Sequence, residues 1–138
     1  MNLRAQPGFA RTLVAGFIGS SLLTDGAADV ADGNHFGWLW LAFGAFALWL
    51  LTQHLREQAV RGLNRPDTTW TRTDTANVSI LAVLITLMIV GTFADPEGPA
   101  AEAATYTVAA TYLALLTDFT IQRRQTVKTA PTNANQAA

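Results

Sequence analysis

All nine Lys and Arg residues of this 138-residue chain fall in three segments, Arg4/Arg11, Arg56/Arg61/Arg65/Arg72 and Arg123/Arg124/Lys128. The segments between them carry acids, Asp25/Asp29/Asp32 and Asp95/Glu97/Glu102, and four apolar stretches separate the alternating patches. A soluble surface has no reason to sort its charges this way. A membrane protein does, because basic residues are retained on the cytoplasmic side during insertion. The pattern predicts an all-α polytopic membrane protein, four transmembrane helices in an antiparallel bundle with both termini cytoplasmic, in the cell membrane.

Composition agrees: 50% of residues are hydrophobic and 14% charged, against roughly a quarter charged in soluble domains. The net charge of −1 is the sum of a basic and an acidic side that nearly cancel. There is no cysteine, which excludes disulfides, thiolate metal sites and thiol redox chemistry.

The expected spans are about 9–28, 36–54, 75–94 and 101–122, within a domain covering 1–125, followed by a disordered cytoplasmic tail over 126–138. Phe36 to Gln53 and Thr75 to Ala94 are uncharged over 18 and 20 residues, close to the ~20 needed to cross a ~30 Å hydrocarbon core. The first run is uncharged only from Thr12 to Thr24 and crosses if Arg11 and Asp25 snorkel. It also has the features of a secretory signal, with Gly26-Ala27-Ala28 as a small-residue cleavage site; a retained helix is the expectation. Trp38 and Trp40 at the acidic end of span two, and Trp49 and Trp70 toward the basic side, fit interfacial belts. Span two should run on as helix past Leu55 and Ala59 until Gly62 and Pro66, Asp74 or Thr75 should cap span three, and Asp95-Pro96-Glu97-Gly98-Pro99 should break it from span four.

Span one places Gly8, Thr12, Gly16, Ser20 and Thr24 at four-residue intervals, a small face for close helix contact. Such a face serves packing within the bundle or a dimer seam. Span four carries Ala104, Thr107, Thr111, Ala114 and Asp118, whose polar groups are expected to face protein. Asp118, the one acid expected at membrane depth, either pairs with Arg11, Arg56, Arg123 or Arg124, or ends a polar pathway through Thr107 and Thr111. Span three, bulky and aliphatic around Ser79, Ala82 and Thr86, reads as lipid contact.

His35 and His54 raise the question of haem, but 19 residues of helix, about 28 Å at 1.5 Å per residue, prevent joint ligation from one span. No cofactor and no metal site is expected. The basic residues Arg56, Arg61, Arg65, Arg72, Arg123 and Arg124 are candidates for contact with anionic headgroups or an acidic partner. No glycine loop, carboxylate pair or nucleophile set sits at compatible depth, so the expectation is a noncatalytic subunit whose partners are the lipid bilayer and other membrane chains, with no nucleic acid. The hairpin layout resembles those of small multidrug transporters and four-span phage holins in length and topology, which implies a pore or transporter as the alternative. In the multidrug family a glutamate sits midway along the first span, whereas this chain has no carboxylate between Thr12 and Thr24.

Overall fold

The computed structural model describes residues 8–62 and 68–129. It contains four helices, α1 (Gly8–Ala31), α2 (Gly37–Ala59), α3 (Arg72–Ala94) and α4 (Pro99–Thr129). Of these, α1, α2 and α3 are long and apolar enough to cross a membrane.

Local chemistry sets the helix ends. Between α1 and α2 the chain turns at Gly33 (φ 80°), and the Asn34 side chain accepts from the Phe36 amide at 3.1 Å. Helix α2 stops at Ala59, and Gly62 follows with φ 79°. The cap of α3 lies earlier than the sequence reading placed it. Thr71 is the N-cap and Asp74 the third helical residue of a capping box, each side chain bonding the other's backbone amide. The Asp95-to-Gly98 breaker separates α3 from α4, with Pro99 as the first residue of α4, where a missing N–H costs nothing. Helix α4 continues past the expected boundary at 125, because Thr126 is buried and its hydroxyl bonds the Gln122 carbonyl at 3.0 Å. The rest of the predicted tail, 130–138, lies outside the described residues.

Helix α1 packs against α2, α3 and α4, and α4 also packs against α2 and α3. Gly26 meets Gly37 and Gly8 meets Gln58, so α1 and α2 run in opposite directions. At Gly37 an added Cβ would lie 2.7 Å from the Gly26 carbonyl oxygen and the Val30 nitrogen, so the two backbones touch there. The apolar core joins Leu51 and Leu55 of α2, Leu81 and Leu84 of α3, and Val108, Tyr112 and Phe119 of α4. The small stripe Ser79, Ala82 and Thr86 of α3 points outward instead.

Burial is inverted relative to a soluble domain. Arg123, Asp74, Asn77 and Thr12 are at most 1% exposed, whereas Phe93 is 75%, Phe36 71% and Trp38 62% exposed. In water this would forfeit much of the hydrophobic driving force. In lipid it is the required arrangement, since polar side chains must find partners inside the protein.

Candidate functional site

The densest polar cluster ties the helices together at the basic end. The capping carboxylate of Asp74 accepts through Oδ2 from the Thr71 amide (2.8 Å), the Thr71 hydroxyl (3.0 Å) and Arg123 Nε (2.9 Å). The guanidinium then reaches the α2–α3 connection, Nη1 donating to the Arg61 carbonyl at 2.6 Å and Nη2 to the Thr69 carbonyl at 3.1 Å. One turn along α3, Asn77 accepts from the Thr12 hydroxyl at 2.7 Å. Nearby, His54 Nε2 donates to the Gly8 carbonyl at 2.8 Å. Asp74 Oδ1 and Asn77 Nδ2 are buried with no hydrogen-bond partner among the described residues. With its charge matched by Asp74 and its nitrogens engaged within the chain, Arg123 acts as a brace.

This corrects two expectations. Arg123 does not face headgroups: it is 1% exposed, and the carboxylate it pairs with is Asp74. Asp118 pairs with none of the arginines considered for it, because it projects outward and both of its oxygens accept from Gln122 Nε2 at 2.8 Å. Arg56, Arg61, Arg72 and Arg124 are exposed, and Arg65 lies outside the described residues.

The small face of α1 lies inside the bundle. Thr12, Gly16 and Ser20 are buried, Gly8 and Thr24 half-buried, and the Tyr112 hydroxyl donates to the Gly16 carbonyl at 2.5 Å. The stripe on α4 points the other way. Thr107, Ala114 and Asp118 are exposed and Ala104 and Thr111 half-buried, against the expectation that they face protein. Self-satisfaction explains the difference: Thr107 and Thr111 donate to the carbonyls four residues back, Ala103 and Thr107, at 2.7 and 2.8 Å. Their hydroxyls therefore need no partner helix.

Among the described residues, two sizeable concavities open on the surface. A groove of about 1090 Å³ runs between α1 and α2, mostly apolar, with Arg11, Gln53, His54 and Glu57 at one end. A cavity of about 310 Å³ at the opposite end of the bundle is lined by Asp25, Asp95, Glu97 and Glu102. The charges sorted along the sequence are thus sorted in space.

No protein-family model, curated protein or solved structure matches the chain. Its own geometry carries the functional argument.

Sequence reasoning missed Asp74 and Asn77 as interior residues. A signal was present in Thr71-Arg72-Thr73-Asp74, a capping-box pattern ahead of an apolar run, and in Asn77 one turn later on the same helix face.

Proposed function

We propose that this chain is a noncatalytic membrane component that crosses the bilayer four times with both termini cytoplasmic. It assembles with copies of itself or with other membrane chains through the outward face of α4. The observation that carries this reading is the exposure of Ala103, Thr107, Ala110, Ala114 and Thr117, small residues at alternating four- and three-residue spacing, with Asp118 beside them. Small residues at this period let a second helix approach closely, and a partner would shield a carboxylate costly to present to lipid. The small face of α1 is already occupied within the chain, and the shorter outward stripe of α3, Ser79, Ala82 and Thr86, has no charged residue beside it that a partner would shield, which favours α4 as the seam.

Replacing Ala110 and Ala114 with Leu should abolish the native complex in mild detergent while leaving the helical content of the chain unchanged. Unchanged migration on a native gel sinks the assembly reading. Topology has its own check, because a chain without cysteine accepts single-cysteine labelling: probes at Asp32 and Gly98 should react from outside, and one at Gln125 from inside. Labelling of Gly98 and Gln125 from the same side would remove α4 from the membrane.

A second reading, a small pore, is favoured by the adjacent line of Thr107, the half-buried Thr111 and Asp118. Copies of α4 arranged around an axis would line a polar path with these side chains. Current in planar bilayers that changes with Asp118→Asn supports it, and a silent bilayer returns the reading to assembly alone.

A further inference from the structure

The groove between α1 and α2 is built from two stripes. Arg11, Val14, Ile18 and Leu22 form one wall along α1, and Phe43, Phe46 and Leu50 help to form the other along α2, while the small side chains of Ala15 and Ala47 make its floor. Because the helices run in opposite directions, Arg11 near the start of α1 meets Gln53 and Glu57 near the end of α2. All of the groove's charge is at that end. From Arg11 to Leu22 the apolar wall extends 11 residues, about 16 Å at 1.5 Å per residue, or half of a ~30 Å hydrocarbon core. These dimensions suit the chains of a lipid in a single leaflet.

The polar end selects the headgroup. It offers one cation and one anion, and among the described residues neither Arg11 nor Glu57 has an ion-pair partner. The His54 Nε2 beside them is committed to the Gly8 carbonyl. An anionic headgroup would satisfy Arg11 but be repelled by Glu57. A choline ammonium has no N–H to donate to Glu57, whereas an ethanolamine ammonium has three, and charge-assisted N–H···O bonds are the strong ones. We propose that this groove is a binding site for a phosphoethanolamine-headed phospholipid of the leaflet at the basic end, Arg11 holding its phosphate and Glu57 its ammonium. The site lies on α1 and α2 and does not depend on how α4 is disposed or whether the chain assembles.

The test uses the full chain in detergent micelles with equimolar dioleoyl phosphatidylethanolamine, phosphatidylcholine and phosphatidylglycerol, with bound lipid counted by native mass spectrometry. Phosphatidylethanolamine should be retained about tenfold over the other two, the worth of one charge-assisted hydrogen bond. Glu57→Gln should lower its retention to the phosphatidylcholine level and leave phosphatidylcholine unchanged, while Arg11→Ala should weaken both, since both carry a phosphate. Ile18→Trp, on the exposed wall, should block all three. Equal retention of the three lipids, preference for phosphatidylglycerol, or an ethanolamine preference that survives Glu57→Gln would each overturn the assignment. The three-lipid comparison on the unaltered chain requires no variant to fold.

Discussion

Asp74→Ala is the sharpest perturbation of this bundle, because one carboxylate oxygen holds both a helix cap and a buried cation. The substitution leaves Arg123, 1% exposed, with its Nε unpaired, and deprives the Thr71 amide and hydroxyl of their acceptor. Stripping one partner from a buried ion pair costs about 3–5 kcal/mol, and losing the Asp74 half of the capping box, the bond from the Thr71 amide, about 1 kcal/mol. The two losses share Oδ2 and do not add fully, so about 4 kcal/mol is expected, a large share of the ~5–15 kcal/mol that holds a domain together. Asp74→Asn keeps a neutral acceptor in place and should cost about half as much, since charge-assisted bonds are roughly twice as strong as neutral ones. Adding Arg123→Met to Asp74→Ala should recover at least ~1 kcal/mol, because no unpaired charge remains buried. The Arg61 and Thr69 carbonyls it releases belong to exposed residues that can return to water. Equilibrium unfolding by sodium dodecyl sulfate in mixed micelles, followed by far-ultraviolet circular dichroism, measures the unaltered chain, these three variants and Arg123→Met alone. A loss below ~1 kcal/mol for Asp74→Ala, or a double variant whose loss equals the sum of the single ones, would refute the reasoning.

Other perturbations separate buried pairing from close approach. Thr12→Val leaves Asn77 with no partner and should destabilise the bundle by about 1–3 kcal/mol in the same assay, whereas Thr12→Val with Asn77→Leu should be nearly neutral. Equal losses for the two chains would contradict this. Gly37→Ala drives a Cβ to within 2.7 Å of the α1 backbone and should cost about 1–3 kcal/mol. Gly91→Ala, with open space around the new methyl group, should gain about 0.5–1 kcal/mol through helix propensity. A result of the same sign for both glycines would show that close α1–α2 contact is not what limits position 37.

Much of the secondary structure was legible in the sequence for a local reason. The apolar runs, the Asp95-to-Gly98 breaker and the glycine stops are properties of neighbouring residues, and α2, α3 and the start of α4 fall close to where those signals lie. The site residues were harder to read, because which face of a helix turns inward depends on its neighbours. The spacing of Thr107, Thr111 and Asp118 is a true stripe, yet Thr107 and Asp118 lie on the outside and Thr111 is only half-buried. The inward face of α4 is instead set by Val108, Tyr112, Phe119 and Arg123.

The sequence by itself determined the alternation of charge and apolarity, and with it three helices able to cross a membrane and a basic and an acidic end. These depend on composition along the chain, which transfer into lipid reads directly. Only the tertiary structure decided which acid is buried, joining Asp74 to Arg123 across 49 residues and leaving Asp118 at the surface. A carboxylate in an apolar medium takes the position where a cation and N–H groups converge, and that convergence exists only once α3, α4 and the α2–α3 connection have met.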